Sequence, residues 1–184
     1  MLDTRPLALE GLVEIRPAKF GDERGFFSQT WSAEEMAGSG LELDFVQDNH
    51  SFSAARGVLR GLHYQVPPAA QHKLVRVSRG AVFDVAVDIR AGSPTFGQWA
   101  GLVLSADLWN QLLVPEGFAH GFVTLVEHSE VQYKVTSPYR PQLERVIRFD
   151  DPAIGIEWPV VRGEITLSPK DEAAPLLSDG PTGF

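Results

Sequence analysis

A two-residue hydrophobic period runs through most of this sequence and confines the chain to β architectures. In Gly80-Ala81-Val82-Phe83-Asp84-Val85-Ala86-Val87-Asp88-Ile89, residues Phe83, Val85, Val87 and Ile89 share one face, with Asp84 and Asp88 on the other. Residues 73–77 precede this run across Ser78-Arg79-Gly80, which reads as a hairpin-like break. Further runs cover residues 111–114, 120–125, 130–135 and 145–149, and weaker ones surround Val13, Phe27 and Phe45. Roughly ten short strands bounded by Gly, Pro, Asn and Asp predict a sandwich, jelly roll or small barrel. Helix starts are sparse: Ser32-Ala33-Glu34-Glu35-Met36 and Ser168-Pro169-Lys170-Asp171-Glu172 each place a capping serine before acids.

With 184 residues and no linker or repeat, the chain reads as one domain over residues 1–184, with a loose tail from about residue 178. A 43% hydrophobic composition is enough for a core. The net charge of −8 argues against nucleic acid or an anionic membrane as a main partner. The absence of cysteine excludes disulfides, thiolate nucleophiles and Cys-ligated metals. The N-terminus has no apolar signal core, and no run approaches the roughly 20 apolar residues of a membrane helix. The expectation is a soluble, cytoplasmic protein.

Pro115-Glu116-Gly117-Phe118-Ala119-His120 is a turn that aims His120 along the following strand, and it matches the second half of the cupin signature. Many cupins hold a metal through an earlier His-x-His pair. Here that place reads His63-Tyr64-Gln65, so metal binding is not expected. Arg60, His63 and Lys73 form an odd core, because cations are almost never buried unpaired, and a cavity open to an anion explains them better. Strict alternation puts Arg60 and His63 on opposite faces, so both point inward only if Gly61 marks a bulge. Tyr133 shares its face with Val131 and Val135 and points toward apolar surroundings.

These segments together resemble the dTDP-4-dehydrorhamnose 3,5-epimerase family. The resemblance spans about Phe20 to Leu177. It runs through Phe20-Gly21-Asp22-Glu23-Arg24-Gly25-Phe26-Phe27, Phe45-Val46-Gln47-Asp48-Asn49-His50-Ser51, Leu59-Arg60-Gly61-Leu62-His63-Tyr64-Gln65, the segment 115–122 and Leu167-Ser168-Pro169-Lys170-Asp171. It implies an all-β, cupin-like jelly roll with a few short helices. It also implies a homodimer with shared active sites, acting on a dTDP-4-keto-6-deoxyhexose without metal or coenzyme.

Carried over residue by residue, the resemblance makes His63 the base, Asp171 its orienting carboxylate, Lys73 the enolate stabiliser and Tyr133 the acid. Arg24, Arg60, His120 and Lys170 would meet diphosphate or sugar oxygens. Gln47, Asn49 and Glu144 would hydrogen-bond thymidine or sugar, and Phe20, Phe27 and Tyr139 would pack on base and ribose. The Phe20-to-Phe27 segment would reach in from the neighbouring subunit. Two positions depart from the family: Gln29 stands where Glu is common, and His72, beside Lys73, stands where a small residue is usual. The alternatives to a double epimerase are a single-centre epimerase of the same substrate class and a metal-dependent cupin.

Overall fold

The computed structural model describes residues 2–184, and among them thirteen strands form two antiparallel sheets and one separate hairpin. The first sheet holds β1 (Asp3–Pro6), β2 (Val13–Arg16), β10 (Gln111–Val114), β7 (Lys73–Arg79), β12 (Ser129–Val135) and β5 (Gln47–Ser53), in that spatial order. The second is ordered β13 (Glu144–Val146), β6 (Leu59–Gln65), β11 (Phe118–Thr124), β8 (Ala81–Asp88) and β9 (Trp99–Ser105). β3 (Phe20–Asp22) and β4 (Gly25–Phe27) make the hairpin. The expected all-β jelly roll is the observed fold. Both short helices start where the capping serines place them: Ser32 caps α1 (Ala33–Gly38) and Ser168 caps α2 (Pro169–Glu172).

The sheets face one another across a core of Val75, Val77, Val82, Ala86, Leu112, Phe118, Phe122 and Val131. Each sheet is also covered outside. The segment carrying Trp31, Met36, Leu41 and Phe45 lies over Ile15, Leu74 and Leu113 of the first sheet. Leu62, Tyr64, Val85, Val87 and Ile89 of the second are covered by Ile154, Trp158, Leu177 and Phe184. Burying each large apolar side chain contributes about 1.5–3 kcal/mol, so the covers matter as much as the central layer. No helix among the described residues is long and apolar enough to cross a membrane.

Three features differ from the sequence reading. The break at Ser78-Arg79-Gly80 does not close a hairpin; β7 and β8 lie in different sheets, and Gly80 carries the chain between them. The step is tight, since a Cβ on Gly80 would lie 2.5 Å from Ser129 Oγ. β9 went unread because Gly101 interrupts its apolar pattern; that glycine makes room for the Phe83 ring, which a Cβ would approach to 2.7 Å. The tail is not loose. Thr182 is buried and its hydroxyl donates to the Ile89 carbonyl (2.7 Å), while the Phe184 carbonyl accepts from Ala91 N–H (3.0 Å). The outer face of the second sheet needs an apolar lid, and the chain end supplies it.

Asp88 shows what a fully buried carboxylate contributes here. It accepts from Arg90 through Nε and Nη2, and from the hydroxyls of Ser93 and Thr95 at 2.6 Å each. Burial alone would raise its pKa, but these donors outweigh that and hold it well below the usual carboxylate range. Its stabilising effect is present above pH ~4 and is lost as the medium becomes more acid. Asp88→Ala leaves the partly buried donors of Arg90, Ser93 and Thr95 without their acceptor and should cost about 2–3 kcal/mol, read as a lowered denaturation midpoint. A midpoint within error of the parent's would contradict this account.

Candidate functional site

A cavity of about 400 Å³ lies between the sheets near one end of the sandwich. The first sheet lines it with Gln47, Asn49 and Ser51 of β5, Lys73 of β7 and Tyr133 of β12. The second sheet lines it with Arg60 and His63 of β6, His120 and Phe122 of β11 and Glu144 of β13. Arg60 and His63 both reach it because β6 bulges. His63 pairs with His120 and Arg60 with Phe122, so a step of three residues on β6 faces a step of two on β11. Gly61 sits in the bulge at φ +136°, where a Cβ would lie 2.5 Å from Gly121 Cα.

His63 Nε2 is 2.5 Å from Asp171 Oδ1. Asp171 is buried and its other oxygen accepts from Ser168 Oγ (2.8 Å), so the helix-capping serine also fixes the carboxylate. Burial works to raise the Asp171 pKa, but the bonds from His63 and Ser168 outweigh it and the net direction is down. With Nε2 engaged, His63 has Nδ1 left for a substrate proton. Lys73 is buried, and its ammonium donates to the His63 carbonyl (3.0 Å). Burial brings its pKa down to about 8, against the upward pull of the Asp84 and Glu144 charges. Burial raises the Tyr133 phenol, Glu144 adds to the rise and Arg60 opposes it, so the hydroxyl keeps its proton.

At the mouth, Tyr139 Oη donates to Glu144 Oε2 (2.7 Å), and Lys170 Nζ pairs with the same oxygen at 2.5 Å. Lys170 thus reaches the site through Glu144 and does not itself line the cavity. Gln47 Oε1 accepts from Tyr139 N–H (3.0 Å) and its amide donates to Asn49 Oδ1 (2.8 Å). Gln65 braces the same loop by accepting from Arg140 N–H and donating to the Pro138 carbonyl. Ser51, Gln65, Gln71, Phe122 and Ser168 line the cavity without having been assigned a role. Their polar or apolar character alone carries no signal of a site.

Several expected residues lie elsewhere. Phe20, Arg24 and Phe27 line a hollow of their own hairpin, with Phe20 64% and Phe27 70% exposed, and Arg24 pairs with Asp22. Gln29 donates to Glu35 Oε2 (3.1 Å) and does not line the cavity. His72 does not line it either, and burial lowers its pKa, so it adds no cation beside Lys73. Among the described residues no three His, Asp or Glu side chains converge as a metal site would need. A second hollow of about 300 Å³ includes Arg76 and Lys134, but these are already bonded to Gln132 and Asp48, and its one histidine, His50, is half exposed and paired with Glu130.

Comparison with known proteins identifies the family. Residues 6–179 match the family model described as dTDP-4-dehydrorhamnose 3,5-epimerase. The enzyme of that name from Salmonella typhimurium is 54% identical over 173 residues, covering 92% of each chain. That of Sinorhizobium fredii is 50% identical over 170 residues, covering 92% of this chain and 87% of its own. The fold superposes on dTDP-6-deoxy-D-glucose-3,5-epimerase from Legionella pneumophila, solved in complex with dTDP-4-keto-L-rhamnose, with a TM-score of 0.92. That pair is 47% identical, and the match covers 96% of this chain and 93% of that one. Likeness of this extent, in sequence and in fold alike, makes the chain a member of the dTDP-4-dehydrorhamnose 3,5-epimerase family.

Proposed function

We propose that this protein, as one catalytic domain, inverts C3 and C5 of dTDP-4-dehydro-6-deoxy-D-glucose to give dTDP-4-dehydro-β-L-rhamnose. His63 is the base and Tyr133 the acid. The observation that carries this reading is the His63–Asp171 contact on one side of a cavity whose other side presents the Tyr133 phenol. The two groups belong to facing sheets, so a sugar ring between them meets a base on one face and an acid on the other.

The C4 ketone acidifies the hydrogens on C3 and C5. His63 Nδ1 takes one of them, the electron pair moves onto the C4 oxygen, and the Lys73 ammonium stabilises the enolate. Tyr133 then returns a proton to carbon from the opposite face, which inverts the centre. His63 loses its proton and Tyr133 regains one before the second carbon reacts. The reaction is redox-neutral, so these protons balance without a coenzyme. Arg60, His120 and Lys170 serve the anionic end of the substrate, and Tyr139 with Gln47, Asn49 and Glu144 serves its nucleoside and sugar. This reading puts the enzyme in the cytoplasm with its soluble nucleotide sugars. Incubation with the 4-keto substrate and NMR of the sugar should show inversion at both centres; an unchanged sugar would sink the proposal.

The exposed hairpin supports an obligate homodimer. Phe20, Phe26 and Phe27 are each more than half exposed, a patch suited to burial by a second copy; in this reading one subunit's hairpin completes the other's cavity. A doubly substituted hairpin (Arg24→Ala with Phe27→Ala) and His63→Ala should each be nearly inactive alone. Co-refolded at equal amounts, they should recover about a quarter of parental activity, because half the dimers are hybrid and each hybrid has one intact site. No recovery in verified dimers, or a monomer in sedimentation, would contradict the shared site.

A further inference from the structure

His120, which lines the same cavity, belongs to a second histidine–carboxylate pair, and its carboxylate partner Asp84 has no part in the steps above. His120 Nε2 is 2.8 Å from Asp84 Oδ1. Both residues are buried, with side-chain exposures of 7% and 0%. Asp84 Oδ2 is one of two buried side-chain polar atoms without a hydrogen-bond partner among the described residues. A buried carboxylate half-satisfied in this way is costly, and such groups persist where function needs them. The strands explain the placement. Asp84 and His120 belong to neighbouring strands β8 and β11, and both side chains face the interior between the sheets, where the buried end of the cavity meets the apolar core.

Resting on the epimerase reading, we infer that Asp84 is a positioning residue: it fixes the His120 ring with Nδ1 left for the substrate, and it supplies the buried negative charge that holds the Lys73 ammonium under the developing enolate. The first half follows from the hydrogen bond. Nε2 is committed to Asp84, and Nδ1 has no protein partner among the described residues. The second half follows from the charges around Lys73. Lys73 shares the cavity wall with Arg60 and His63 of β6, His120 of β11, Tyr133 of β12, Glu144 of β13 and Asp171 of α2, and Asp84 of β8 stands behind His120. Of the three carboxylates, Asp171 is spoken for by His63 and Ser168, and Glu144 by Lys170 and Tyr139. Asp84 alone has a fully buried oxygen without a partner. Its charge, with that of Glu144, also favours the Lys73 ammonium against the effect of burial.

The test compares Asp84→Asn with the parent enzyme on dTDP-4-keto-6-deoxyglucose across pH. We expect kcat to fall on the order of 10–10²-fold, the scale for removing a carboxylate that orients a histidine. Without the Asp84 charge Lys73 loses its proton more readily, so the basic limb of the kcat profile should move to lower pH. A purely structural role would lower activity evenly across pH, and an even loss or an unchanged profile would overturn the inference. If Asp84→Asn does not fold, nitrogen NMR of the histidines in the unmodified protein still decides: His120 should carry its proton on Nε2, and a ring protonated only on Nδ1 would overturn the inference. A parent enzyme inert toward the substrate would instead overturn the epimerase reading, leaving the histidine measurement to judge Asp84 by itself.

Discussion

His63→Ala is expected to lower kcat by about 10²–10⁴-fold with little change in KM, because it removes the general base and leaves the binding groups in place. The site makes this residue hard to replace. Its ring sits on the only bulged stretch of β6 paired with β11, its Nε2 is held by a buried carboxylate, and that carboxylate is locked by the cap of α2. Of the other histidines, His120 is likewise held by a buried carboxylate but is assigned to the anionic end of the substrate, and His72 does not line the cavity. Steady-state kinetics on the purified variant measures the effect, and retention of more than a tenth of parental kcat would remove His63 from the mechanism.

The second large effect is at Lys73, where function and stability pull in opposite directions. Lys73→Met should lower kcat by roughly 10²–10³-fold, the loss expected when a preorganised donor to a developing oxyanion is removed. The same change should raise thermal stability, because it trades a buried ammonium for an apolar side chain of similar length. The parent's pH behaviour follows from the lowered pKa. The protonated form is the active one, so kcat should fall as pH rises through about 8. Between about 8 and the unfolded value near 10.5 the unfolded chain binds the additional proton, so the parent's unfolding free energy should rise with pH over that window. Lys73→Met should show neither trend. A variant that is both inactive and less stable than the parent would mean that Lys73 is structural.

How much of this was legible in the sequence differs from element to element. The strand period, the two capping serines and the bulge demanded at Gly61 follow from local rules, and the structure has all three. The crossing at Gly80 was not legible, because a turn glycine looks the same whether the next strand pairs with the last one or joins the opposite sheet. Asp84 was not legible either. An aspartate alternating with valines reads as a polar outer face, whereas both faces of β8 are buried here and the carboxylate points into the sandwich. The grouping of His63, Lys73, Tyr133 and Asp171 came from resemblance, since they lie on four elements far apart in sequence and only the fold brings them together. For Phe20, Arg24 and Phe27 a single chain shows only an exposed aromatic hairpin, which fits a group meant for a neighbouring copy.

The central claim is that one base and one acid on facing sheets exchange protons at two carbons of a 4-keto sugar. Incubating the enzyme with dTDP-4-keto-6-deoxyglucose in deuterated water and reading the recovered sugar by NMR tests it most directly. The account predicts solvent deuterium at both C3 and C5; deuterium at only one carbon, or at neither, would contradict it.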